Sequence, residues 1–138
     1  MSYTFSYIKP RAVVRKKIGE ILKMIEEAGF TICALKKTRL TREQAAAFYA
    51  EHEGKEFFER LMSHSTSGPV VAMVLEREGD VVAEFRKFIG NTDPEKAEKG
   101  SIRALFGESI TANAIHGSDS EASVKRESAF FFSTLERF

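Results

Sequence analysis

The segment Ser67–Glu76 (SGPVVAMVLE) constrains this chain more than any other. Gly68-Pro69 stops whatever precedes it, and the run that follows is short, β-branched and apolar, the pattern of a buried central strand. Thr4–Ile8 (TFSYI), rich in β-formers and halted by Lys9-Pro10, reads as a second strand. Phe30–Leu40 reads as a third, apolar on both faces at first and basic later, and Asn113–Ile115 as a brief fourth.

Helical signals separate these strands. Ile18, Ile21, Leu22 and Ile25 fall at helical spacing, so Val14–Ala28 is expected to form one amphipathic helix, with Gly29 as its left-handed terminator and Arg15-Lys16-Lys17 on its solvated face. Thr41-Arg-Glu-Gln44 has capping-box spacing and opens an Ala-rich helix towards Tyr49. A shorter helix is expected over Lys55–Ser65. Ser118-x-x-Glu121 repeats the capping-box spacing ahead of a helix that runs towards Phe132. Val81–Ile89 fits helix or strand, and Gly90–Ser101 (GNTDPEKAEKGS) is a polar connection of a length usually kept for function.

The order β-α-β-α-α-β-α-β-α describes an α+β sandwich, accounted for by a single sheet with helices packed on one face. The 138 residues suit one domain over 1–138. Hydrophobic residues at 43% and charged residues at 30% exclude a disordered tail. No apolar run is long enough to span a bilayer. Twenty-one basic against twenty acidic residues leave a net charge of +1, so no bulk field draws the chain to nucleic acid or to an anionic membrane. One cysteine, Cys33, excludes an internal disulfide and a Cys-rich zinc site, which fits a reducing, cytoplasmic location.

Few residues stand out as chemical. His52 and His64 lie among polar neighbours on expected helices. His116 follows a short apolar strand and precedes Gly117, Ser118 and Asp119 at a helix start, where free N–H groups attract anions. By pattern alone it is either a satisfied structural histidine or a phosphate-handling one. Lys9 is a strand-end lysine or a point charge for a phosphate; Arg86 and Arg103, read alone, are surface arginines. One imidazole, scattered cations and a polar loop together suit phosphoryl transfer, in which an imidazole nitrogen can itself be the nucleophile.

Asn113–Ser120 (NAIHGSDS) resembles the active-site signature of nucleoside diphosphate kinases. YIKP near the N-terminus, SGPVVAMVLE and Gly100–Arg103 (GSIR) follow that family in the matching order, so the resemblance extends from about Thr4 to Phe132. It implies a ferredoxin-like α+β sandwich with a four-stranded antiparallel sheet covered by helices. The implied activity is a Mg²⁺-dependent exchange of the terminal phosphate between nucleoside tri- and diphosphates such as ATP and GTP. It would be ping-pong through a phosphohistidine and tolerant of the base.

On this resemblance His116 is the nucleophile through Nδ1, oriented by Glu127 with help from Ser118. Lys9, Arg86, Thr92, Arg103 and Asn113 match the positions that bind phosphates and sugar. Phe57 matches the aromatic on which the base stacks, and Tyr49 a tyrosine near the phosphates and the histidine. Asp119 would touch Mg²⁺ through water, and the Gly90–Ser101 loop would line the site and join subunit contacts. The family assembles as homo-oligomers, hexamers or tetramers, and a chain ending soon after Phe132 looks like a short bacterial form.

Three departures from the family pattern stand out: Arg11 in place of an acid after Lys9-Pro10, Ala104-Leu105 after Arg103, and Ala112 in place of arginine. Arg11 and the altered flank of Arg103 motivate an alternative, a catalytically weakened relative that binds nucleotide or serves assembly. A ferredoxin-like nucleic-acid binder would need clustered basic and aromatic residues, which the near-neutral charge disfavours.

Overall fold

The computed structural model describes residues 2–138. Strands β1 (Ser2–Ile8), β2 (Thr31–Thr38), β3 (Val70–Arg77) and β4 (Ile115–Gly117) form one antiparallel sheet in the order β2-β3-β1-β4, as the resemblance implied. β3 is central, paired with β1 on one side and β2 on the other. Its residues alternate between two cores. Val71, Met73 and Leu75 enter one, and Val70, Ala72 and Val74 enter the other. A strand buried on both faces has no place for polar side chains, which is why this run is apolar throughout.

Helices therefore cover both faces of the sheet, where the sequence suggested one. On the first face lie α1 (Pro10–Val14), α2 (Ile18–Glu27), α5 (Val81–Ile89) and α6 (Ile102–Phe106). On the second lie α3 (Arg42–Phe48) and α4 (Phe58–Ser65). α7 (Glu121–Phe131) contributes Val124 to the first core and Phe131 to the second. Thr41 caps α3 as its spacing predicted, its hydroxyl accepting from Gln44 N while Gln44 Oε1 accepts from Thr41 N. Gly29 takes φ +91° after α2, a conformation that glycine adopts without strain.

Four expectations need correction. The helix foreseen over Val14–Ala28 is broken, because α1 ends at Val14 and Lys16 turns left-handed at φ +64° before α2 begins. Arg15-Lys16-Lys17 forms this turn and does not lie along one helix face. The helix foreseen from Lys55 starts at Phe58, while Val81–Ile89, which fitted helix or strand, is a helix. Asn113 lies ahead of β4, which comprises Ile115–Gly117 and so carries His116 within the strand. Finally, α7 is capped by Ser120, whose hydroxyl accepts from Ser123 N, and Ser118 is used differently.

The polar connection is ordered by specific contacts. Asp93 caps a short 3₁₀ turn at Pro94–Lys96, and Ser101 caps α6. Gly90 stands at φ +99° and ψ 178°, a region almost confined to glycine. A Cβ there would meet the Ser101 hydroxyl at 2.5 Å. Gly90→Ala is expected to lower stability by about 1–3 kcal/mol, the cost of such a backbone. Chemical denaturation checks this, and an unchanged midpoint would contradict the strain.

Candidate active site

A cleft of about 440 Å³ opens where the C-terminal end of β1, β4 and the ends of α3, α5 and α6 converge. His116 lies at its base. β4 pairs Tyr7 with His116 across the sheet, and the Tyr7 ring stacks on the imidazole with centroids 5.1 Å apart and planes 27° apart. Ala114, two residues earlier, stands at φ +78°. That left-handed backbone costs a non-glycine residue roughly 1–2 kcal/mol. The same bend lets the Ala114 carbonyl accept from Lys9 N at 2.8 Å and directs the next residues into β4.

The imidazole is held by an acid. His116 Nε2 donates to Glu127 Oε1 at 2.8 Å, and the Ser118 hydroxyl donates to the same oxygen at 2.6 Å. Ser118 is thus the fixing group for Glu127. A carboxylate only accepts, so Nε2 carries the proton and Nδ1 carries the lone pair. Burial pulls the His116 pKa down and outweighs the nearby Glu127 charge, which keeps the imidazole neutral and nucleophilic. The Glu127 carboxyl, almost fully buried, is pulled below its ordinary range: the imidazole, Ser118 and Arg126 together outweigh its desolvation.

Cations line the wall of the cleft. Lys9 is buried and donates to the Thr111 carbonyl at 3.2 Å. Burial and the neighbouring Arg103 bring its pKa down to about 7. Arg103 is buried as well; Nε and Nη2 donate to the Ile115 carbonyl and Nη1 to the Gly90 carbonyl. Its pKa falls to about 10 through burial and Arg86. Arg86 Nη1 donates to the Gly117 carbonyl at 2.9 Å. The Ile115 and Gly117 carbonyls on either side of the histidine, with the Gly90 carbonyl, therefore fix two guanidinium groups in advance, and neither Lys9 nor Arg103 pairs with a carboxylate among the described residues.

The remaining expected residues converge on the same cleft. Asn113 Nδ2 donates to the Thr92 carbonyl at 2.9 Å, while its buried Oδ1 has no protein donor. Tyr49 pairs its hydroxyl with that of Tyr7, and burial pushes the Tyr7 hydroxyl up to about 12. Phe57 is partly exposed at the rim, beside His52 and the Lys55 ammonium. Asp119 also lines the cleft and accepts from the Ser123 hydroxyl at 2.6 Å. Of the residues named from the resemblance, all line this cleft except Ser118, which acts from behind Glu127.

Sequence reasoning set His52 aside and did not single out Tyr7, Glu51 or Arg126, nor Arg60, which also lines the cleft. Tyr7 backs the imidazole, His52 and Glu51 line the rim, and Arg126 donates to Glu127 Oε2 at 3.3 Å. Arg126 alone carried a local signal, its place beside Glu127. His64 lies on α4 and does not line the cleft. Arg11 turns out to be matched: its Nε donates to Glu108 Oε2 at 2.8 Å, and Arg15 reaches the same oxygen at 3.5 Å. A wider hollow of about 990 Å³ lies at the other end of β1, beside Tyr3, Cys33 and Phe138. Lys125 and Arg137 line it, but no histidine does, and burial pushes the Cys33 thiol up, away from the reactive thiolate. The chemistry therefore favours the smaller cleft.

No group of three or more His, Cys, Asp or Glu side chains among the described residues is placed to cage a metal ion. Of the three carboxylates that line the cleft, Glu127 is committed to His116 and Glu51 lies at the rim, which leaves Asp119, suited to an ion that keeps several waters and is held mainly by its own ligand. No helix among the described residues is long and apolar enough to cross a membrane.

Known proteins resemble this chain in sequence and in fold. Residues 2–137 match the family model described as nucleoside diphosphate kinase. A nucleoside diphosphate kinase of Actinobacillus pleuropneumoniae serotype 5b is 53% identical over 133 residues, covering 96% of each chain. The crystal structure of the Aquifex aeolicus nucleoside diphosphate kinase superposes with a TM-score of 0.95 at 44% identity, covering 99% of each chain. That of a halophilic nucleoside diphosphate kinase from Halobacterium salinarum, in complex with CDP, gives 0.94 at 41% identity, covering 99% of this chain and 91% of the other.

Proposed function

Because the chain belongs to the nucleoside diphosphate kinase family, a family of phosphotransferases, we propose that His116 carries the transferred phosphoryl group in a two-step exchange between nucleoside tri- and diphosphates. One observation carries the reading: Glu127 holds the Nε2 proton, leaving the Nδ1 lone pair of a neutral imidazole beside Lys9, Arg86 and Arg103.

In the first step Nδ1 forms a bond to the γ-phosphorus. The bond from phosphorus to the β,γ-bridging oxygen breaks, and the diphosphate leaves with that electron pair. Glu127 stabilises the positive charge that the imidazole acquires. Lys9 and the two arginines are already in place for the charge that shifts onto the leaving oxygen, so little reorganisation accompanies the reaction. In the second step an oxygen of an acceptor diphosphate attacks phosphorus and His116 departs with its lone pair restored. Mg²⁺ brought with the nucleotide, reached through water by Asp119, would neutralise phosphate charge.

Thr92 and the orphan Asn113 Oδ1 suit the sugar; a ribose hydroxyl would satisfy the buried acceptor. Phe57 at the rim suits stacking on any base, since every base has a π face. Phe57→Ala should weaken purine and pyrimidine nucleotides alike by about 1–3 kcal/mol. Calorimetric titration with ADP and CDP checks this, and unchanged affinity would remove Phe57 from the site. Assembly as a homo-oligomer, hexamer or tetramer, and a cytoplasmic location belong to the same reading. The open edge of β2 and the half-exposed Leu35 on it are consistent with assembly.

Glu108 pairs with Arg11 and so offsets part of the charge that motivates the weakened-module alternative. The deciding experiment incubates the protein with γ-labelled ATP and Mg²⁺ without acceptor. An acid-labile, base-stable label on His116 that a diphosphate discharges is the expected result. Folded, nucleotide-binding protein that takes no label would overturn the proposal.

A further inference from the structure

Glu127 uses its two carboxylate oxygens for different purposes. Oε1 accepts from His116 Nε2 and from Ser118. Oε2 accepts from Arg126 Nη2 at 3.3 Å. Neighbours i and i+1 on a helix point to different faces and do not ordinarily meet. The Arg126 side chain bends to do so because its other end is anchored: Nη1 donates to the Phe48 carbonyl at 3.0 Å, and the guanidinium carbon stands 5.9 Å from the Phe48 ring centre. Nη2 also lies 3.7 Å from the Glu51 carboxylate.

Phe48 is the last residue of α3, a helix with no basic residue in its own last turn. A cation donating to a terminal carbonyl is what such an end lacks. Arg126 supplies it from another helix. The residue after Phe48 is Tyr49, which reaches back to Tyr7 and so to the wall behind the imidazole. One side chain thus ties the carboxylate that orients the histidine to the end of the element that closes the cleft beside it.

We propose that Arg126 is a positioning residue for phosphoryl transfer: it holds Glu127 Oε2 against the end of α3 so that Oε1 keeps the imidazole in its Nε2–H form. Exposed ion pairs usually contribute little. This one differs because its acid is almost fully buried, with a side chain only 6% exposed against 45% for the arginine. The planar fork also makes two directed hydrogen bonds that a free surface arginine would not make.

The inference rests on the phosphohistidine reading of His116. The test compares the wild type with Arg126→Met and Arg126→Lys in single-turnover labelling by γ-labelled ATP, in ADP affinity, and in the imidazole ¹⁵N spectrum of His116. Arg126→Met is expected to label about two- to fivefold more slowly, at the upper end of what a partly exposed charge pair contributes. Its ADP affinity should stay within about twofold, since Arg126 does not line the cleft. The Nδ1–H tautomer should appear in its spectrum, and Arg126→Lys, which keeps the charge but not the fork, should recover only part of the rate. Equal labelling rates with the wild-type tautomer pattern would overturn the proposal. So would a rate loss matched by lost affinity and lost thermal stability, which is the mark of a mere brace. A wild type that takes no label on His116 would instead refute the site reading.

Discussion

His116→Ala is expected to keep its fold and lose phosphoryl transfer by about four orders of magnitude or more, the scale on which removing an attacking group acts. The effect is this large because among the described residues no other nucleophile lines the cleft in a comparable setting: His52, at the rim, has its Nδ1 engaged with the Lys55 ammonium. Tyr7 and Tyr49 have hydroxyls engaged with each other and pKa values raised by burial, Tyr7 to about 12. The fold should tolerate the change, since the imidazole is 20% exposed and its partner Glu127 keeps Ser118 and Arg126 as donors. Coupled steady-state assays and thermal melts check both halves. Transfer within tenfold of wild type would overturn the nucleophile assignment.

Lys9→Met should separate activity from stability in opposite directions. Loss of one pre-arranged charge at a transferring phosphate is expected to slow transfer by roughly 10²–10³-fold. Stability should not follow. The Lys9 pKa stands at about 7 in the folded protein, against 10.5 for an ordinary lysine. Between those values the unfolded chain binds more protons at this residue than the folded one, so folding stability rises with pH across the window. Below about pH 7 both states are protonated and the full burden of the buried ammonium is present. The methionine variant lacks that burden. Its advantage over wild type should be largest near neutral pH and should shrink towards pH 10, as denaturant titrations would show. A constant gap across that range would contradict the buried-lysine account.

Much of this was legible in the chain, and for identifiable reasons. The β3 run shows its burial on both faces in its composition alone, and Gly29 and the Thr41–Gln44 box are local devices with local signatures. Lys16 was not legible because a left-handed lysine has no sequence mark; the broken helix follows from its φ of +64°. Ser118 satisfied capping-box spacing, yet its hydroxyl is drawn to Glu127, and Ser120 caps α7 two residues later. α6 spans only five residues, too few to show a helical period. In the site, the residue types came from the resemblance, and their convergence on one cleft is a product of the fold. The stack of Tyr7 on His116 crosses from one strand to its neighbour, and no spacing along the chain encodes such a contact.

The unpaired Lys9 and Arg103 also bear on protein engineering. Procedures that raise heat resistance by supplying every buried charge with an opposite would place an acid beside these two. The altered protein would survive higher temperatures, and its new carboxylate would occupy the place proposed for a phosphate. Screening this scaffold for robustness alone would thus select against turnover. The two buried cations should be held constant in any redesigned library.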